Sequence, residues 1–85
     1  MSNADGLRSF LDAVLDAIDI PFPATGGDLD QYRALLDRRA ALAVITARAA
    51  LAESPDDLQW DADYLRRRLA EYPPSYPHAD EEARR

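Results

Sequence analysis

The sequence contains no cysteine, no lysine and only one histidine, His78, among its 85 residues. The absence of cysteine excludes disulfides, thiolate metal ligands and thiol nucleophiles. No apolar run approaches the roughly 18 to 20 residues of a membrane-spanning helix, and no basic segment leads into a short apolar block, as in a secretion signal. We therefore expect a soluble, cytoplasmic protein without a membrane partner.

The charge balance is acidic, with a formal net charge of −6. The excess is concentrated in residues 1–28, where five aspartates face a single arginine. A net-acidic chain is repelled by polyanions, which disfavours nucleic acid and anionic membranes as partners. The exclusive use of arginine and the abundance of alanine are compositional traits that indicate a GC-rich bacterial genome.

Three helices are predicted, over residues 3–18, 29–53 and 55–72. Ser2 and Asp5 have the spacing of a capping box at the start of the first helix. Its expected core face is the set of apolar residues that recur every three or four positions. These are Leu7, Phe10, Leu11, Val14, Leu15 and Ile18.

The second helix follows a turn rich in proline and glycine, with Asp28 as the expected N-cap and Gln31 at the third helical position. It has two nearly opposite apolar faces. One face comprises Leu29, Tyr32, Leu36, Ala40, Ala43, Val44, Ala47 and Leu51. The other comprises Leu35, Leu42, Ile45 and Ala49. Two shorter helices cannot readily cover both faces.

The third helix has a clear start signal, with Ser54 as the expected N-cap and Pro55 at the first helical position. Its core stripe is Leu58, Ala62, Leu65, Leu69 and Tyr72. Pro73 and Pro74 end it, so we expect one helical domain over residues 1–74 and an extended or disordered tail over 75–85.

The predicted fold is an all-α, three-helix antiparallel bundle with a long central helix. Because the core is small and the central helix has two apolar faces, we expect a homodimer that forms a larger helical bundle. The candidate dimer interface consists of Leu35, Leu42, Ile45 and Ala49.

No constellation of residues predicts catalysis, a metal site or a cofactor, and no small-molecule substrate is evident. Asp61 and Asp63 lie two positions apart and point in different directions on a helix, so they are not expected to share one ion; Asp63 is better placed to pair with Arg67. His78 lacks a nearby orienting partner and nucleophile, and we interpret it as a solvated tail residue.

Arg66, Arg67 and Arg68 form the most basic segment. Neighbouring residues on a helix are about 100° apart, so the three fan around the helix and favour a solvated face with internal ion pairs. Arg38 and Arg39 could enlarge the segment into a nucleic-acid patch. The pattern Pro73-Pro74-Ser75-Tyr76 matches a WW-domain ligand, but a helix stop with tyrosines folded back onto the core is the preferred interpretation.

Trp60 and Tyr64 lie one turn apart, off the core stripe, as does Arg67. Aromatic residues and arginine are enriched at interface hot spots. Two interpretations stay open: these residues form a partner interface, or Trp60 seals the edge of the bundle as part of the core.

Two segments resemble small uncharacterised helical proteins of actinobacteria. One comprises Ala17-Ile18-Asp19-Ile20-Pro21, Ala24-Thr25 and Gly27-Asp28. The other comprises Trp60, Tyr64-Leu65-Arg66, Arg68-Leu69-Ala70-Glu71 and Pro73-Pro74. The resemblance covers most of residues 7–76. It implies a bacterial, cytoplasmic setting and carries over no activity, cofactor or site residue.

The leading functional hypothesis is a non-catalytic adaptor or regulatory module that binds an unidentified protein through Trp60, Tyr64 and Arg67. The first alternative is a nucleic-acid-binding accessory protein that uses Arg38, Arg39 and Arg66–Arg68. An enzyme is the least favoured class, because no nucleophile, base or metal cluster is apparent.

Overall fold

The computed structural model describes residues 3–53 and 57–78, which form three helices. They are α1 (Asn3–Ile18), α2 (Leu29–Glu53) and α3 (Leu58–Leu69), with a 3-10 turn over Gly26–Asp28 before α2. The long α2 runs antiparallel to α1 and α3, which lie side by side in the same direction. The predicted all-α fold with a long central helix is confirmed. The predicted Ser2, Ser54 and Pro55 caps lie outside the described residues.

The bundle is thin, with Cα extents of 44 × 24 × 15 Å. Three helices in a layer of this thickness bury few side chains from all directions. Among the large side chains of the described residues, only Leu65 is almost completely inaccessible to solvent. Much of the apolar surface of α1 and α2 therefore stays uncovered.

Small residues form the contact between α1 and α3. Ala13, Ala17 and Ala62 have no solvent exposure. At Gly6 a Cβ atom would lie 3.3 Å from the backbone nitrogen of Gln59, so glycine permits close approach of the two helices at that end. This packing uses the side of α1 that carries Gly6, Ala13 and Ala17.

The predicted core face of α1 is therefore wrong for four of its six residues. Phe10 is buried and Val14 packs partly against the core. The other four are between 46% and 58% exposed: Leu7, Leu11, Leu15 and Ile18. The helix is rotated toward its alanines because α3 approaches it along its small residues.

The buried line of α2 falls between its two predicted apolar faces. It consists of Arg39, Ala43, Thr46 and Ala50. As a result neither face is fully covered, and Val44, Ile45 and Leu51 are 48%, 64% and 80% exposed. The core stripe predicted for α3 is confirmed, with Ala62, Leu65 and Leu69 buried.

Arg39 is a buried charged residue of the bundle, 8% exposed. Its Nε donates to the carbonyl oxygen of Ala17 at 2.9 Å, and Nη2 donates to that of Asp16 at 2.8 Å. Nη1 donates to the carbonyl oxygens of Leu69 at 3.3 Å and Tyr72 at 2.7 Å. One side chain of α2 thus satisfies backbone acceptors at the carboxyl ends of both α1 and α3.

The third helix starts later and ends earlier than predicted. Asp57 caps it, and its Oδ1 accepts a hydrogen bond from the backbone nitrogen of Trp60 at 3.3 Å. The last turn tightens after Leu69, where the nitrogen of Tyr72 donates to the Leu69 carbonyl oxygen. Before α2, the carboxylate of Asp28 accepts from the Thr25 hydroxyl at 3.1 Å.

The segment after α3 folds back onto the loop between α1 and α2. Pro23 and His78 form an antiparallel bridge, and the nitrogen of Ala24 donates to the Pro77 carbonyl oxygen at 2.9 Å. Tyr76 is buried, as its predicted folding back requires, and its hydroxyl donates to the Pro21 carbonyl oxygen at 2.6 Å. Tyr76 is thus packed and His78 half-buried, whereas we expected an extended or disordered tail from residue 75 onward.

We predict that Arg39→Met lowers the free energy of unfolding by about 3 kcal/mol, because it leaves buried carbonyl groups at two helix ends without donors. Chemical denaturation followed by circular dichroism measures the loss. Arg48→Met, at an exposed arginine on the same helix, is the matched control and should change stability by less than about 0.5 kcal/mol. Equal effects of the two substitutions would contradict the anchoring role of Arg39.

We predict that Tyr76→Phe costs about 1 kcal/mol at neutral pH through loss of the hydrogen bond to Pro21. Burial raises the pKa of the Tyr76 hydroxyl, Tyr32 adds to the rise and Arg39 opposes it. The stabilising contribution of the neutral hydroxyl is thus fully present below the unfolded pKa of about 10 and is lost as pH rises through the raised pKa. Urea unfolding at pH 8 and pH 11 should therefore give a difference between wild type and variant that shrinks at the higher pH. A constant difference would argue against this linkage.

Candidate functional site

A groove opens between the carboxyl-terminal half of α2 and the start of α3, with a volume of about 280 Å³. We call it the α2–α3 groove. It is lined by Ala49, Ala50, Glu53, Asp57, Trp60 and Asp61. Its floor is made of alanines because the buried line of α2 ends in small residues, which leave space beside the first turn of α3.

Trp60 forms one wall of this groove and is 56% exposed. Its ring stacks on the half-buried ring of Tyr64, with centroids 5.5 Å apart and an interplanar angle of 6°. Of the two interpretations of Trp60, the exposure of its ring fits a surface position and not a buried core position. The stack restricts the rotamers of both rings, so less side-chain entropy would be lost on contact with a partner.

Three carboxylates make the groove acidic: Glu53, Asp57 and Asp61. Partial burial raises the pKa of the Asp61 carboxyl, and repulsion from Asp57 and Glu53 adds to the rise. These residues were not identified as a group from the sequence. The exposed guanidinium of Arg67 belongs to the outward side of α3 that also carries Trp60 and Tyr64.

The arginines do not form one basic patch. Arg39 is buried at the helix ends, which corrects its assignment to a nucleic-acid surface. Arg66 lies 3.8 Å from the Asp16 carboxylate, and Arg68 lies 3.1 Å from that of Glu71. Arg38 stacks over the Tyr72 ring, 5.3 Å from its centroid. The prediction of internally paired arginines is confirmed for Arg68, whereas the partner of Arg66 belongs to α1.

The other candidate residues are dispersed. Asp63 accepts a hydrogen bond from the Gln59 amide at 3.0 Å, and the predicted pair with Arg67 does not form between these two described residues. Within residues 3–53 and 57–78, no three His, Cys, Asp or Glu side chains are arranged to hold a metal ion. No helix in the same part of the chain has the length and apolar character to cross a membrane.

The predicted dimer-interface residues lie on the α3 side of α2. Ile45 is 64% exposed, whereas Leu35, Leu42 and Ala49 are half-buried. Leu42 packs against the core, and Ala49 lines the α2–α3 groove. Leu35 borders a second cavity, also of about 280 Å³, between α2 and the segment after α3.

Comparisons of the chain with protein-family models, with curated proteins and with solved structures gave no match.

We predict that caesium quenches the fluorescence of Trp60, the single tryptophan, more strongly than iodide does, when each quenching constant is divided by that of free N-acetyltryptophanamide. The three groove carboxylates attract the cation and repel the anion, outweighing the single charge of Arg67. Stern–Volmer plots at low ionic strength measure both constants, and added salt should bring them closer together. Resistance to both quenchers would mean that the indole is buried.

Proposed function

We propose that this protein is a non-catalytic interaction module that binds a partner protein through the α2–α3 groove. The observation that carries the proposal is the exposed, stacked pair of Trp60 and Tyr64 beside an open groove. Preformed aromatic surfaces next to a pocket are typical of interface hot spots. We place this adaptor or regulatory role in the cytoplasm of a bacterium.

The partner segment that fits the groove carries a basic side chain next to an apolar one. A lysine or arginine entering the groove would meet the carboxylates of Glu53, Asp57 and Asp61, with the Trp60 ring available for a cation–π contact. The alanine floor offers apolar contact to the aliphatic stem of such a side chain. Arg67 would lie outside the groove and could contact acidic groups that flank the basic residue.

This recognition has a defined dependence on pH. The Asp61 carboxyl has a raised pKa and is protonated at a higher pH than an unperturbed aspartate would be. Protonation removes negative charge from the groove, so affinity for a basic segment should fall as the solution is acidified through the raised pKa.

The nucleic-acid alternative has less support. Of the five arginines that this alternative uses, Arg39 is buried and Arg66 and Arg68 are paired with carboxylates, which leaves Arg38 and Arg67 to neutralise phosphates. The enzyme alternative has no described cluster of reactive groups in its favour. Titration with duplex DNA at two salt concentrations distinguishes a nucleic-acid binder, which would show affinity that falls steeply with salt.

We predict that replacing Trp60 and Tyr64 together by alanine abolishes capture of the partner and leaves the helical circular dichroism unchanged. The expected loss of affinity is at least about 30-fold, the effect of removing one hot-spot residue. The measurement is affinity capture from the native host, identification of the bound protein by mass spectrometry and titration of the purified pair.

Phe22→Ala is the matched control, because Phe22 is an aromatic residue with 62% exposure at the other end of the bundle. It should retain capture. Equal loss of the partner in both variants, or unfolding of the double variant, would count against the α2–α3 groove as the binding site.

A further inference from the structure

A second apolar surface, in addition to the α2–α3 groove, is exposed on the other side of α2, where α2 lies beside α1. On α1 it is a ridge of Leu7, Leu11, Leu15 and Ile18, which we call the leucine ridge. Arg66 of α3 contacts Ser9 and Asp16, so these two residues mark the side of α1 that faces α3. The leucine ridge lies on the other side of the buried residues of α1, and thus next to α2.

Apolar residues of α2 continue this surface across the seam. Ala49 lines the α2–α3 groove together with Trp60 and Asp61, so Ala49 marks the side of α2 that faces α3. Val44 and Leu51 lie on the opposite side of α2, next to α1. Arg39 contacts Ala17, so these two residues lie at the same height along the bundle axis. Because α1 and α2 are antiparallel, equal steps away from this contact bring Val44 near the height of Leu11 and Leu51 near the height of Leu7. The leucine ridge and these two residues therefore form one continuous apolar face.

The exposed area of this face is close to what a stable dimer requires. Its six large side chains are between 46% and 80% exposed. With about 180 Å² for each fully exposed side chain, the face presents on the order of 600 Å², against about 800 Å² per partner in a standard interface. An apolar patch of about 600 Å² is at the upper limit of the largest patch on a typical monomer, and backbone and rim atoms would supply the remaining area.

We propose that a second copy of this chain covers the face, with the two leucine ridges packed antiparallel across a two-fold axis. Antiparallel pairing places Leu11 against Leu15 of the partner subunit, so the ridge is complementary to itself. This interface differs from the expected one at Leu35, Leu42, Ile45 and Ala49, where Ile45 alone among the four residues is mostly exposed.

Two charged residues at the rim of the ridge can pair in the antiparallel arrangement. Arg8, in the first half of α1, and Asp19, directly after its end, are eleven positions apart, about three helical turns, and thus lie on the same rim. In an antiparallel pair, Arg8 of one subunit approaches Asp19 of the other, and the two-fold axis generates this ion pair twice. In a parallel two-fold pair this rim of the two copies would lie on opposite sides of the interface, so Arg8 and Asp19 would not meet.

The dimer leaves the α2–α3 groove free, because the two surfaces lie on opposite sides of α2. Each assembly would therefore display two grooves. The proposal does not depend on the proposed function, and alanine at Trp60 and Tyr64 should leave self-association unchanged.

The test is the mass in solution, measured by sedimentation equilibrium of the full chain at about 50 µM, where an interface of this size should be largely formed. Wild type and Ile45→Glu should have the mass of two chains, and Leu11→Glu should have the mass of one. Leu11 is 58% exposed, so this variant should keep its helical signal. The expected weakening of the dimer is at least about 100-fold, since each assembly would bury two unpaired carboxylates.

A wild-type mass of one chain would overturn the proposal, as would dissociation by Ile45→Glu but not by Leu11→Glu. Charge reversal then tests the orientation. Arg8→Asp should weaken the dimer about tenfold, and the added Asp19→Arg should restore it. Failure of the double variant to regain affinity would exclude the antiparallel pairing.

Discussion

The structure depends on how Arg39 connects the ends of two parallel helices. Parallel packing brings the carboxyl ends of α1 and α3 together, and each end carries unsatisfied carbonyl groups and partial negative charge. Arg39, on the antiparallel α2, donates to acceptors at both ends and supplies the compensating positive charge. Burial lowers the pKa of its guanidinium, which Asp16 and Tyr76 oppose, and the group stays charged because arginine titrates far above neutral pH.

The same interaction determines which apolar residues are exposed. Once Arg39 points inward, the residues four, seven and eleven positions later point inward too, and these are Ala43, Thr46 and Ala50. The larger Val44, Ile45 and Leu51 are thereby turned toward the edges of a thin layer. The exposed apolar surface of α2 is thus a consequence of the inward direction of Arg39.

The sequence predicted the helices well but not the residues that they bury. Proline, glycine and capping residues are local signals, and they placed α1, α2 and the core stripe of α3 close to where the structure has them. The prediction failed where residue size matters more than hydrophobicity. Ala13 and Ala17 are buried in preference to neighbouring leucines because α3 approaches closely. The separation between α1 and α3 cannot be predicted from the spacing of apolar residues along one helix. Trp60 was correctly placed off the core stripe, whereas the convergence of Glu53 and Asp57 beside it depends on the turn between α2 and α3.

The contact of the carboxyl-terminal segment with the first loop has a consequence for biosynthesis. Tyr76 is held by Pro21, and the core needs Leu65 and Leu69 to cover the alanines of α1. While a ribosome is still translating α3, the nascent chain cannot close this arrangement. The buried alanines of α1 therefore lack the cover of Leu65 and Leu69 until α3 has left the exit tunnel.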